Sequence, residues 1–265
     1  MERGTDGNGG RLKGAWLASL VVAAWVVGIC LGGWSNAALS AEGALSGPPA
    51  GTIGLLQLEA VFGSDACDPA PTRAVPIYGR PGHTKKIGEI VVSLPMVGSR
   101  EGGCTEREVT VRKPGAHDEA LPTLEHSYEM KAAVVLQREG DWCRVKLKTG
   151  SAWVQEACRT GFMRVEQLLA EKSLYLVEGA GAAARKQPGA GTSEAADEGL
   201  RTAVSKSSPK FMSIRKINGN VWVELEVGSD EGCDAEAGKT AAGRLWLPLR
   251  DGQGRLTLWF NSRGC

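Results

Sequence analysis

The stretch "GDWCRVKLKTGSAWVQ", residues 140–155, decides the fold that the sequence predicts. In its first half, "CRVKLK" at 143–148, apolar side chains alternate with basic ones, a pattern typical of a strand with one buried and one solvated face. Thr149 and Gly150 then supply turn residues, and "SAWV" at 151–154 returns. We therefore predict a β-hairpin here, and we ask whether its Lys-Thr-Gly turn belongs to a catalytic site or to a domain that only binds.

Short apolar or alternating segments bounded by Gly, Pro or charge recur along the chain and predict an all-β fold. Asn218-Gly219 lies between two alternating runs, which is a strong hairpin signal. Residues 163–172, "MRVEQLLAEK", have the apolar spacing of a short helix. The other predicted strand segments are "AVPIYG" at 74–79, "IGEIVVSL" at 87–94, "EVTVRK" at 108–113, "KAAVVLQ" at 131–137, and two strands within "RLWLPLRDGQGRLTLWF" at 244–260.

The N-terminus has the pattern of a secretory signal peptide. Arg11 and Lys13 precede an uncharged run at 14–34, and small residues follow it. We predict a signal peptide over residues 1–40, with cleavage between Ala37 and Ala41. The alternative is an uncleaved anchor, in which case residues 14–34 provide the only membrane contact. Either reading places the rest of the chain outside the cytoplasm, in the periplasm or secreted.

Six cysteines follow the predicted signal peptide, and an even number in an exported protein favours disulfides over free thiols. Several connectivities are open, and proximity along the chain favours the pairs Cys67–Cys104, Cys143–Cys158 and Cys233–Cys265. The chain has no C-x-x-C motif and no His at ligand spacing from a Cys. We therefore predict no metal site and no cofactor.

A composition break predicts two folded units. Residues 179–209 are rich in Ala, Gly, Ser and charge without apolar periodicity, and we interpret them as a flexible linker. The linker separates a unit at 53–178 from a smaller unit at 210–265.

The charge balance argues against a nucleic-acid partner. The chain has 31 Lys and Arg against 30 Asp and Glu, and residues 1–37 carry one net positive charge. The exported part is therefore neutral and lacks the basic footprint that binding to nucleic acid needs.

Three motifs resemble those of enzymes, but their order, spacing or surrounding elements do not fit. We therefore predict no catalytic residues and no enzyme. Ser213 and Lys216 with the Lys-Thr-Gly turn resemble two penicillin-recognition motifs, but their order is reversed and strand alternation puts Ser213 and Lys216 on opposite faces. "GCDAEAGKT" at 232–240 has the wrong spacing between its glycines for a phosphate loop. "LYLVEGAGAAA" at 174–184 lacks the helix and second strand of a dinucleotide site.

The chain resembles a bacterial SH3-like domain of exported cell-envelope proteins. The resemblance covers residues 74–156 and is carried by the Pro-Gly turn at 76–82, by Gly140-Asp141-Trp142 with its alternating strand, and by the final strand at 151–154. A second, shorter copy corresponds to 210–265, and the first copy departs from the family in a long insertion at 93–127. The resemblance implies one or two small SH3-like barrels.

The resemblance also implies a function. We expect an exported, non-enzymatic binding module that recognises cell-wall peptide, peptidoglycan or an envelope protein, with Tyr78, Trp142 and Trp153 as ligand-binding residues. The alternative for the aromatic residues is a place in the core. The alternative functions are a structural or assembly subunit of an envelope complex and, less favoured, an undetected hydrolase.

Overall fold

Strands dominate the computed structural model, which describes residues 47–62, 74–92, 108–128, 130–191, 194–228 and 243–263. The sheets are antiparallel and the helices are short, so the all-β prediction is confirmed. The predicted signal peptide at 1–40 lies outside the described residues. Within the described ranges, no helix is long and apolar enough to cross a membrane.

The helices and strands of the described residues have the following bounds. The helices are α1 (Glu59–Phe62), α2 (Glu156–Gly161), α3 (Val165–Ala170), α4 (Glu198–Lys206) and a 3-10 helix (Ala180–Ala183). The strands are β1 (Gly54–Gln57), β2 (Ala74–Tyr78), β3 (Lys86–Val92), β4 (Val109–Arg112), β5 (Glu119–Ala120), β6 (Thr123–Ser127), β7 (Met130–Glu139), β8 (Trp142–Lys146), β9 (Ser151–Val154), β10 (Phe162–Arg164), β11 (Leu174–Leu176), β12 (Lys210–Ile217), β13 (Asn220–Val227), β14 (Gly243–Pro248) and β15 (Leu258–Phe260).

The predicted hairpin at 140–155 is present. Strands β8 and β9 pair antiparallel with Lys146 opposite Ser151, and the Leu147 N–H donates to the Gly150 carbonyl at 3.0 Å. Gly150 closes this turn with φ 80°, a backbone conformation that favours glycine. These strands belong to a large sheet ordered β10-β1-β7-β8-β9-β2-β3-β4-β5, with β6 paired to β7.

The side chains of β8 also alternate between the buried and the solvated face as predicted. Cys143, Val145 and Leu147 are fully buried, and Cys143 forms a disulfide of 2.00 Å with Cys158 on α2. This confirms one of the three predicted pairs. The cysteines of the other two predicted pairs lie outside the described residues: Cys67, Cys104, Cys233 and Cys265.

Strands β1 and β7 are buried on both faces, which joins the two predicted units through one core. Leu55 and Val134 pack in a cluster with Leu225 and Leu258, whereas their neighbours on the same strands pack in a second cluster with Cys143. Burial on both faces explains why β7 contains a continuous apolar run. The described residues belong to one compact unit.

The C-terminal sheet contains the predicted hairpin, but the pairing of the last strand differs from the prediction. In the order β12-β13-β14, Ile217 faces Asn220 around Asn218 and Gly219, whose φ angles of 50° and 81° are those of a tight hairpin turn. Strands were also predicted on both sides of the turn at 251–254. They form, but β15 pairs with β11 instead of β14, and an isolated bridge joins Arg250 to Leu256 outside both strands.

The segment predicted as a flexible linker is ordered in its described part. Residues 179–191 and 194–209 contain the 3-10 helix and α4, and their buried residues pack in the core shared with β13. A methyl group added at Gly181 would lie 2.6 Å from Ser205 Oγ, so the two helices approach through small residues. Alanine and glycine pack by close backbone approach, a form of burial that hydrophobic periodicity does not reveal. The residues that this segment contributes to the core are Ala184, Ala196, Ala203 and Val204.

Candidate functional site

The three predicted ligand-binding residues lie on three neighbouring strands and share one face. Trp153 on β9 is directly opposite Arg144 on β8 and is also paired with Tyr78 on β2. Trp142 is two residues before Arg144 on β8. Because residues opposite each other, and residues two apart, point to the same side of a sheet, all four side chains share a face. We call these four residues the first aromatic face.

The first aromatic face lies opposite the core. Cys143, Val145, Ala152 and Val154, which alternate with its members along β8 and β9, all pack in the buried cluster of this sheet. Trp153 is 7% exposed, whereas Tyr78 and Trp142 are half-buried. The face therefore consists of one covered indole flanked by two partly exposed rings.

Tyr78 and Trp142 contact each other although β9 lies between their strands. Their ring centroids are 5.2 Å apart and the ring planes meet at 83°. This edge-to-face geometry places the positive edge of one ring against the negative face of the other. The contact fixes the spacing of the two rings at one edge of the face.

Positive charge accompanies these rings. The Nε of Arg144 is buried and has no hydrogen-bond partner among the described residues. Lys86 is opposite Tyr78 and donates to Glu89 Oε1 at 2.5 Å, and this bond with the Glu89 charge raises the pKa of Lys86. A guanidinium beside aromatic rings can stack on a planar group and donate to a carboxylate.

A second group of tryptophans lies on the C-terminal sheet. Register places Trp222, Trp246 and Arg215 on one face, with Arg215 directly opposite Trp222 and its guanidinium 5.1 Å from the Trp246 ring. We call these three residues the second aromatic face. Neither tryptophan belongs to the two clusters of buried described residues. Trp259, in contrast, packs in the core against Phe260.

Residues of the enzyme-like motifs are not assembled into a site in the described part of the chain. Ser213 Oγ donates to Glu224 Oε2 at 2.7 Å, and Lys216 lies on the opposite face of β12. The Lys-Thr-Gly segment is the exposed turn between β8 and β9, not a strand. The segment at 174–184 enters from β11, which is antiparallel to β15, so the parallel unit of a dinucleotide site is missing here.

One buried polar pair was not found by sequence reasoning. His126 on β6 is buried, and its Nε2 lies 2.6 Å from Glu59 Oε1 on α1. The two residues are far apart in sequence, and no local motif links them. Around the described side chains, no group of three or more His, Cys, Asp or Glu is placed to hold a metal ion.

Two open cavities lie away from the first aromatic face. One of about 550 Å³ is lined by Ile53, Arg138, Gly140, Phe162, Arg164 and Glu166. The other, of about 540 Å³, lies between the 3-10 helix and α4. Tyr78, Trp142 and Trp153 line neither of them.

No protein-family model, no curated protein and no solved structure matches this chain. The SH3-like resemblance therefore stays a prediction that depends on the residues named for it.

Proposed function

We propose that this chain is an exported, non-enzymatic binding module that recognises cell-wall peptide through the first aromatic face. The observation that carries the proposal is the placement of Tyr78, Trp142 and Trp153 on one face outside the core, with Arg144 opposite Trp153. Partly exposed aromatic rings on a rigid sheet offer contact area at a small cost in conformational entropy.

The charge beside these rings favours an acidic or carboxylate-bearing peptide. Arg144 has a buried Nε without a partner among the described residues, and Lys146 lies two residues further along the same face. A buried donor without an acceptor is costly, and a ligand carboxylate or carbonyl would satisfy it. Stem peptides of the cell wall carry free carboxylates, which suits this arrangement.

Three further observations support an exported, non-enzymatic protein. The signal pattern at 1–40 predicts export, and the Cys143–Cys158 disulfide is a bond typical of oxidising compartments. Ser213 and Lys216 lie on opposite faces of β12, which removes the strongest enzyme-like pairing in the sequence.

Retention on purified cell-wall sacculi tests the proposal. We expect the wild-type chain to be retained and Trp142→Ala to lose at least tenfold in affinity, because Trp142 is partly exposed and outside the core. Tyr128→Ala is the matched control, since Tyr128 is 62% exposed and lies outside the face. Equal retention of both variants would reject this site. No retention of the wild-type chain would reject the cell wall as ligand and favour a protein partner in an envelope assembly.

A further inference from the structure

We propose that the cavity lined by Arg138, Arg164 and Phe162 is a binding site for a small phosphomonoester, whose phosphate group the two arginines hold. The cavity has a volume of about 550 Å³, within the range of about 300–1,000 Å³ that is usual for small-molecule sites. No residue of the first aromatic face lines it. The inference therefore concerns a separate site and does not depend on the proposed cell-wall ligand.

Gly54 makes room for the aromatic ring of this cavity. A methyl group added at Gly54 would lie 2.5 Å from Phe162 Cε2, so the ring lies against the backbone of β1 at this residue. Gly54 is directly opposite Arg164, which is exposed on the edge strand β10. The Phe162 ring thus lies at the strand position next to Arg164, on the side of the sheet where Phe162 packs against the cluster that contains Cys143.

The same ring orients Arg138. The Arg138 guanidinium carbon is 5.0 Å from the centroid of the Phe162 ring, a cation–π distance, and Arg138 Nε donates to the Gly140 carbonyl at 2.9 Å. Within the described ranges, the two terminal nitrogens of Arg138 have no hydrogen-bond partner. A guanidinium that is held at Nε and keeps both terminal nitrogens offers a planar pair of donors to phosphate oxygens.

The charges around the cavity favour a dianion. Among the described residues, neither Arg138 nor Arg164 forms a salt bridge. The cavity is also lined by Glu166, but the charge of Glu166 acts on Arg250: burial lowers the pKa of Arg250, and Glu166 raises it in part. Two arginines without a carboxylate partner match a phosphomonoester, which carries about −1.5 to −2 charges at pH 7. A carboxylate would neutralise only one of them.

The apolar part of the lining favours an organic phosphate over the free ion. Ile53 and Phe162 are half-buried and form part of the cavity wall beside the two arginines. An inorganic phosphate ion has no apolar group to place against Ile53, whereas the organic part of a monoester can contact it. We therefore choose phenyl phosphate as the probe.

A titration of the ¹⁵N-labelled chain with phenyl phosphate, at neutral pH and constant ionic strength, tests the site through the arginine Nε–H signals. We expect the signals of Arg138 and Arg164 to shift and saturate. Arg138→Gln should weaken binding about tenfold, because a charge-assisted pair of hydrogen bonds is lost. Arg138→Lys should weaken it about threefold, since the charge stays but the planar pair of donors does not.

Arg112→Gln is the matched control and should leave the affinity unchanged. Arg112 is an exposed arginine on β4, far from β7 in the order of the sheet, and it is already paired with Asp118 at 3.1 Å. If Arg138→Gln does not fold, Arg164→Gln removes the second cation of the cavity from an edge strand. Absence of saturation, or equal affinity of the cavity variant and Arg112→Gln, would overturn the proposal.

Two further ligands test the chemical class. Benzoate has the ring of phenyl phosphate but a single charge, and inorganic phosphate has the charge but no ring. We expect both to bind more weakly than phenyl phosphate. Benzoate binding as tightly as phenyl phosphate would reject a phosphate site, and inorganic phosphate binding as tightly would reject an organic monoester as its ligand.

Discussion

The two aromatic faces have the same local design and differ in how exposed their rings are. In each, an arginine lies directly opposite a tryptophan on a neighbouring antiparallel strand: Arg144 opposite Trp153, and Arg215 opposite Trp222. On the first face Tyr78 and Trp142 remain partly exposed, whereas both tryptophans of the second face are buried. The comparison teaches that the same local strand pattern can leave its rings partly exposed or bury them, so the pattern alone does not decide whether they are accessible.

The largest effect on stability should come from the buried cluster that joins the two sheets. Leu225 is fully buried in the cluster that also contains Leu55 and Val134. We expect Leu225→Ala to lower the free energy of unfolding by about 2–5 kcal/mol, because the removed methyl groups leave a cavity. The sheets that carry the first and the second aromatic face should melt in one transition when thermal unfolding is followed by near-ultraviolet circular dichroism.

Ile87→Ala is the control for this variant, since Ile87 is an exposed apolar residue. Its effect should stay within about 0.5 kcal/mol. If the sheet that carries the first aromatic face melts in Leu225→Ala at the wild-type temperature, the two faces belong to independently stable units.

The disulfide stabilises the region of the first face. Cys143 and Cys158 are 15 residues apart, and both are buried. Replacing both by alanine should reduce stability by about 3 kcal/mol, mainly because the unfolded chain gains freedom. Chemical denaturation with urea measures the change. An unchanged midpoint would mean that this bond adds nothing to the scaffold of the first face.

The turn between β12 and β13 sets the register of the second face. Gly219 has φ 81°, so Gly219→Ala should cost about 1–2 kcal/mol, the penalty of the left-handed region for a residue with a Cβ. Gly252→Ala is a suitable control, since nothing lies within 4 Å of an added methyl group and its φ is not positive. Equal stability of the two variants in urea would contradict the assigned turn.

The smallest expected effect on stability comes from the contact between two rings of the first aromatic face. A double-mutant cycle with Tyr78→Leu and Trp142→Leu should give a coupling of about 0.5–1.5 kcal/mol, the range for an edge-to-face ring pair. The cycle needs only the stabilities of four variants. A coupling of zero would mean that the two rings do not hold each other in place in solution.

Much of the fold follows from local sequence, because strand alternation and turn residues act over a few positions. The hairpin at 140–155, the turn at Asn218-Gly219 and the outward direction of Trp142 were all predictable in this way. The position of Arg144 beside Trp142 also follows from the alternation within β8. Local rules thus place single strands and the residues that each strand directs outward.

Features that depend on contacts between distant segments were not predictable. The Tyr78–Trp142 contact needs β2 to pair beside β9, and the His126–Glu59 pair needs α1 to meet β6. Order in residues 179–191 and 194–209 was missed because Ala and Gly pack through their backbones and leave no apolar period.

The most direct test of the central claim is a titration of the ¹⁵N-labelled chain with soluble cell-wall fragments, followed through its indole N–H signals. We predict that the Trp142 and Trp153 signals shift and saturate, and that the signal of Trp259, which lies in the core, does not move. A saturating titration that leaves Trp142 and Trp153 unmoved would contradict the first aromatic face as the binding surface.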